Sequence, residues 1–193
     1  MNTAHELILG GARSGKSRTA EQRAATWLAA STAHRATLIA TALPGDDEMA
    51  QRIARHRADR AVRVPALACV EAPQALGETI RRLADPRHLL VVDCLTLWLT
   101  QCLLPPPGVA WQGALAPADA WTQAQDALFD ALRNSASPLV LVSNEIGLGV
   151  MPMSAEARAC VDALGHLHQA VAAHCARVTL MVAGCELPVK DAR

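Results

Sequence analysis

Gly10, Gly15, Lys16 and Ser17 stand at the spacing G-x-x-x-x-G-K-S. The chemistry open to such a segment is phosphate binding. Its glycines let the backbone curl until successive N–H groups converge on phosphate oxygens, and a helix starting at the lysine adds partial positive charge. Gly11, Ala12, Arg13 and Ser14 supply the intervening amides. Lys16 would neutralise the β- and γ-phosphates of a nucleoside triphosphate, and Ser17 would ligate Mg²⁺. Average residue usage brings the four fixed positions together by accident in roughly 1% of chains this long. An apolar strand before the loop and a helical pattern after it make accident rarer still. Of the 18 lysines and arginines, only Lys16 and Lys190 are lysines. A chain that uses arginine for generic charge keeps lysine where a compact ammonium is needed.

A loop of this kind works with an acidic residue at the end of a neighbouring strand. The run Leu89–Val92 followed by Asp93 fits that role, with Asp93 in the Mg²⁺ shell. Asp93 also precedes a helical pattern from Leu95, so capping that helix is an alternative role.

These residues need a sheet to hold them. Short apolar runs at Glu6–Leu9, Ala36–Ala40, Ala66–Val70, Leu89–Asp93, Leu139–Ser143 and Val178–Val182 read as strands, several of them apolar on both faces. Helical patterns cover Lys16–Ala30, Asp47–Arg60, Pro73–Leu83, Leu95–Leu103, Ala118–Arg133 and Ala155–Cys175. The alternation predicts an α/β fold, a mostly parallel sheet flanked by helices, with a short edge strand at Leu187–Lys190. Pro105–Pro107 and Gly108 end one helix and open a surface excursion through Trp111. The 193 residues, 51% hydrophobic, suit one domain over 1–193.

Lysine plus arginine balances aspartate plus glutamate at 18 each, which argues against non-specific nucleic-acid binding or an acidic membrane surface. No apolar run is long enough to span a membrane. The six cysteines form no CxxC pair and read as buried reduced thiols, as in a cytoplasmic protein. The base-reading N-K-x-D motif of GTPases is absent, which leaves a small-molecule kinase or nucleotidyl transferase.

Longer runs narrow the class. Gly10–Arg18 reads G-G-A-R-S-G-K-S-R; Ala40-Thr41, Asp46-Asp47-Glu48-Met49, Arg52-Ile53 and His56 follow. Later come Val142-Ser143-Asn144-Glu145-Ile146-Gly147-Leu148-Gly149-Val150 with Pro152, then Val182-Ala183-Gly184, Leu187-Pro188 and Lys190. In this order, over nearly the whole chain, they resemble the bifunctional adenosylcobinamide kinase / adenosylcobinamide-phosphate guanylyltransferase family. The resemblance implies a P-loop NTPase of RecA-like fold, assembled as a homotrimer. ATP or GTP would phosphorylate the aminopropanol hydroxyl of the corrinoid adenosylcobinamide. GTP would then give GMP to that phosphate, releasing pyrophosphate and forming adenosylcobinamide-GDP.

By the same resemblance His56 is the covalent GMP carrier. A neutral imidazole is a competent nucleophile, and a phosphoramidate retains enough energy to pass GMP on. Arg52, His56 and Arg60 fall on one helical face, where arginines could hold a triphosphate; an ordinary solvated face is the bland alternative. The resemblance also implies nucleotide contacts from Ala40, Thr41 and Ala42, from Arg57, Ala58, Asp59 and Arg60, and from Glu71 and Asp93. The other histidines carry no such pattern: His166 and His168 point to different faces of one helix, and His34 and His88 are only fallback carriers. Trp111 and Trp121 read first as packing groups, with a corrin face as the alternative. A kinase without nucleotidyl transfer and a nucleotide-sensing module remain the competing functions.

Overall fold

A computed structural model describes residues 5–103 and 118–191. Among them the chain runs β1 (Glu6–Gly10), α1 (Lys16–Ala30), β2 (Arg35–Ala40), α2 (Asp47–Arg63), β3 (Ala68–Glu71), α3 (Leu76–Leu83), β4 (His88–Asp93), α4 (Leu95–Leu103), α5 (Ala118–Asn134), β5 (Leu139–Val142), α6 (Ala155–His174), β6 (Arg177–Val182) and β7 (Cys185–Lys190). The strands form one sheet in the order β3-β2-β4-β5-β1-β6-β7. All pairings are parallel except β6 with β7. The expected mostly parallel α/β sheet is therefore present. Pro105–Gly108 and Trp111 lie outside the described residues.

The central strands are buried on both faces because helices cover both. Leu7, Leu90, Val92, Leu139 and Leu141 pack under α3, α4, α5 and α6. Ile8, Val91, Val140 and Val142 pack against Ala20 and Ala24 of α1. Gly77 lets α3 lie directly on α5, since a Cβ there would meet the Ala127 backbone at 2.4 Å. α2 is the exception, with no buried residue along its length.

Four elements differ in their bounds from expectation by more than one residue. α2 runs to Arg63, and the buried Val64 and Leu67 then close a turn, Leu67 N–H donating to the Val64 carbonyl at 3.0 Å. That turn delays β3 to Ala68 and carries Glu71 into the strand. α3 starts at Leu76 because the Ala72 N–H is already bonded to the Ala40 carbonyl at 2.9 Å, holding the chain extended before the helix. β7 starts at Cys185 because Ala183 and Gly184 form a two-residue turn with φ of 53° and 82°, which pairs the strands at once. The cysteines also divide: Cys94 and Cys175 are buried, but Cys69 and Cys185 are exposed because β3 and β7 are the open edges of the sheet.

Candidate active site

Parallel register brings the predicted residues to one edge. Glu71 pairs with Ala40, and Ala40 with Asp93. Asp93 pairs with Val142, and Val142 with Ile8, two residues before Gly10. All of these lie at the carboxyl ends of their strands, where ligands of open α/β sheets bind.

The phosphate loop is already curled. Gly10 and Gly15 take φ of 153° and 104°, and Arg13 takes 56°. A Cβ on Gly10 would meet the Met181 carbonyl oxygen at 2.6 Å and Ser14 Oγ at 2.7 Å, so glycine is required there. The Gly184 N–H donates to the Ser14 carbonyl at 3.0 Å, fastening the loop to the β6–β7 turn. Lys16 Nζ donates to the Gly10 and Gly11 carbonyls at 2.7 and 2.6 Å. The ammonium is buried, and desolvation lowers its pKa against the pull of Cys94 and Asp93. Ser14 Oγ is buried and has no hydrogen-bond partner among the described residues.

Ser17 Oγ donates to Asp93 Oδ2 at 3.2 Å. Desolvation raises the pKa of the Asp93 carboxyl, opposed by the Ser17 hydrogen bond and then by the charge of His56. Among the described residues Asp93 makes its side-chain hydrogen bond to Ser17 and none to the start of α4. Thr41 is fully buried and holds the next peptide: its Oγ1 donates to the Cys94 carbonyl at 2.7 Å and accepts from the Cys94 N–H at 2.8 Å. Gln101 Nε2 donates to the Thr41 carbonyl at 2.7 Å. Through these bonds Thr41 and Gln101 position Asp93.

α2 lies over this edge. Asp46 caps it, accepting from the Met49 N–H at 2.7 Å. Its other end is tied by Arg63, whose Nε donates to the buried Glu21 of α1 at 2.7 Å. Arg57 pairs with Glu71, joining α2 to β3. Arg52 lies within electrostatic reach of Lys16, and His56 and Arg60 within reach of Asp93, which puts these α2 residues in the neighbourhood of the loop.

A family model described as cobinamide kinase / cobinamide phosphate guanyltransferase matches residues 6–189. The chain belongs to this family. It is 45% identical over 185 residues to the bifunctional adenosylcobalamin biosynthesis protein CobP of Pseudomonas aeruginosa, covering 96% of each chain. The CobU proteins of Escherichia coli and Salmonella typhimurium, with the same description, are 33% and 32% identical. Those alignments cover 95% of this chain and 98% of each relative.

The cobinamide kinase fold sorts the remaining histidines. His34 stacks on Trp27 with ring centroids 4.0 Å apart, just before β2. His88, at the start of β4, is buried with its Nε2 2.8 Å from Thr37 Oγ1. Both sit at the amino ends of strands, away from the phosphate loop, so neither can serve as the fallback carrier. Trp121 packs on the buried Trp98 with centroids 5.3 Å apart, the packing role expected. Lys190 Nζ donates to the Ala172 carbonyl near the end of α6 at 2.8 Å, a structural use of the second lysine.

Sequence reasoning overlooked one cluster. His168 is buried, with Nε2 2.7 Å from Ser143 Oγ and Nδ1 3.6 Å from Glu145 Oε2. Ser143 Oγ is 3.1 Å from Thr96 Oγ1, which accepts from the Asn144 N–H at 2.9 Å. The signal was present: His168 interrupts the apolar stripe of Leu164, Leu167 and Val171, where a buried imidazole requires a polar partner.

Proposed function

We propose that this chain phosphorylates adenosylcobinamide with ATP or GTP and then transfers GMP from GTP to adenosylcobinamide phosphate through His56. The observation that carries this reading is the pairing of two groups at one edge: a curled phosphate loop with Lys16, Ser17 and Asp93, and the α2 residues Arg52, His56 and Arg60 within electrostatic reach of it.

In the first step the corrinoid hydroxyl attacks the γ-phosphorus, and the nucleoside diphosphate leaves. The loop amides and Lys16 hold the charge that develops. In the second step an imidazole nitrogen of His56 attacks the α-phosphorus of GTP. An N–P bond forms, the α–β bridging bond breaks, and pyrophosphate departs. A phosphate oxygen of adenosylcobinamide phosphate then attacks that phosphorus, breaks the N–P bond and restores the imidazole. Ala40, Ala42, Glu71, Asp93 and the Arg57–Arg60 turn contact the nucleotide in this reading; Thr41, expected among them, is fully buried and holds the Cys94 peptide instead. Glu71 offers a carboxylate suited to the N–H edge of guanine.

Ser17 and Asp93 suit Mg²⁺: they are adjacent hard oxygen donors, and Asp93 is desolvated in a way a cation would relieve. Among the described residues no group of three or more His, Cys, Asp or Glu side chains clusters as a metal cage. A magnesium at this site would take its remaining ligands from phosphates and water. Bound there, it would neutralise phosphate charge.

A single domain, a homotrimer and a cytoplasmic setting without nucleic-acid partners complete the proposal. The absence of buried residues on α2 supports a neighbouring subunit completing that side. No described helix is long and apolar enough to cross a membrane.

Incubation with GTP and Mg²⁺ followed by mass spectrometry tests the reading, with an acid-labile GMP adduct on His56 as the expected product. γ-labelled ATP should label adenosylcobinamide. Labelled corrinoid without an adduct would reduce the chain to a kinase, and nucleotide binding with neither product would make it a sensor.

A further inference from the structure

The nucleoside contacts of the proposed function all lie on one flank of the phosphate loop, toward β2, β3 and α2. The other flank holds a cavity of about 380 Å³. It is bounded by Gly11–Ser14 of the loop, by Leu180–Ala183 at the end of β6, and by Glu145 and Leu148. In-line displacement at the γ-phosphorus requires the attacking oxygen to stand opposite the leaving diphosphate. With the nucleoside on the β2–β3 flank, the acceptor must approach from the cavity side. The volume suits a hydroxyl-bearing arm. The apolar macrocycle would rest outside, on the exposed Leu148, Val150 and Met151.

Glu145 is the carboxylate on that side, and it is held in place. Its N–H donates to the Gly10 carbonyl at 2.9 Å, joining it to the phosphate loop. Its Oε1 accepts from the Gly147 N–H at 2.7 Å. Its Oε2 faces His168 Nδ1. Hydrogen-bond polarity is consistent along the whole chain. The Asn144 N–H must donate to Thr96 Oγ1; Thr96 then donates to Ser143, Ser143 to His168 Nε2, and the Nδ1 proton faces the carboxylate. Burial lowers the His168 pKa, which keeps the imidazole neutral in this tautomer near neutral pH.

Resting on the proposed kinase function, we propose that Glu145 is the general base that receives the proton of the acceptor hydroxyl in the kinase step, and that His168 is its positioning residue. The hydroxyl oxygen forms its bond to the γ-phosphorus, the β–γ bridging bond breaks, the nucleoside diphosphate leaves, and the hydroxyl proton passes to Glu145. Formation of the GMP adduct on His56 uses no acceptor hydroxyl and does not need Glu145.

The test measures both half-reactions in the full chain: label transfer from γ-labelled ATP to adenosylcobinamide, and GMP adduct formation from GTP. Glu145→Gln should lower phosphoryl transfer about 100-fold, with the adduct forming at the wild-type rate. Adduct formation also reports an intact fold. His168→Asn, which keeps a donor toward the carboxylate, should retain most kinase turnover. His168→Leu, which removes that donor, should lose kinase turnover while the adduct still forms. Wild-type kinase turnover in Glu145→Gln overturns the inference, as does equal loss of both half-reactions, which would make Glu145 a support of the phosphate loop. A wild-type chain that phosphorylates no adenosylcobinamide overturns the functional reading as well, and that defect is visible before any substitution.

Discussion

The phosphate loop and helix α2, to which the proposed mechanism gives the two halves of the chemistry, are held very differently. The loop is tied on every side: Lys16 to Gly10 and Gly11, Ser14 to Gly184, Ser17 to Asp93, Glu145 to Gly10. α2 carries His56 with no buried residue, and is fastened by Arg63 to Glu21 and by Arg57 to Glu71. Preorganisation is worth most where charge develops in every reaction, which is the phosphate loop. A nucleophile used in only one half-reaction can sit on a looser element. The difference implies that damage to the loop reaches both activities, while damage to α2 reaches one.

The largest expected effect is therefore Lys16→Ala. Removing the ammonium should depress phosphoryl and guanylyl transfer by about 100-fold or more and weaken GTP binding. Turnover assays for both steps and a binding titration check this. Normal turnover in either step would break the symmetry assigned to the loop.

His56→Ala comes next and acts on one side only. Phosphoryl transfer should continue at a reduced rate, guanylyl transfer should stop, and adenosylcobinamide phosphate should accumulate. In the wild type the adduct should be labile in acid and stable in base, as a phosphoramidate is. An adduct surviving in the variant would move the carrier off α2; the buried His88 and the stacked His34, both at the far end of the sheet, could not replace it.

The contrast also explains what could be read without coordinates. The bounds Lys16–Ala30 and the start of α4 at Leu95 agree with the structure because sharp local features adjoin them, the glycine loop and the Asp93–Cys94 strand end. β3 slipped because Val64 and Leu67 look like a continuing apolar run, yet they close a turn that only the core beneath reveals. The phosphate loop was legible because its chemistry is contiguous. The Thr96–Ser143–His168 chain was not, because its members are 25 or more positions apart and meet only when β5 and α6 pack. His168 on an apolar stripe resembles any core histidine until Ser143 is placed opposite it.

Asp93→Asn separates activity from stability within the rigid region. Burial holds the folded pKa of Asp93 above its unfolded value. A carboxyl shifted in that direction stabilises the fold most below the unfolded pKa, about 4, and that contribution is lost as pH rises through the folded value. Ionising the buried group is thus a net cost, and asparagine can still accept from Ser17. The variant should lose Mg²⁺-dependent turnover while its melting temperature holds or rises, and the difference from wild type should shrink as the pH is lowered. A fall in melting temperature with normal turnover per folded molecule would make Asp93 structural.

The smallest expected effect tests the tether itself. Arg63 Nε bonds the buried carboxylate of Glu21, and Arg63 also approaches Asp59 at 3.8 Å. Arg63→Ala removes that fastening and leaves Glu21 buried without its cation. Both Val64 and Leu67 still anchor the end of the helix in the core, so α2 should remain folded but hold its angle less firmly. Guanylyl transfer should fall severalfold, on the order of 1 kcal/mol in barrier, because a small misplacement of His56 from the α-phosphorus is costly. Phosphoryl transfer should change little. Replacing Glu21 as well, by glutamine, removes the stranded charge but not the loosened helix. A double variant that regains thermal stability without regaining guanylyl transfer would separate the burial cost from the positioning role; recovery of both would show that Arg63 serves only to neutralise Glu21.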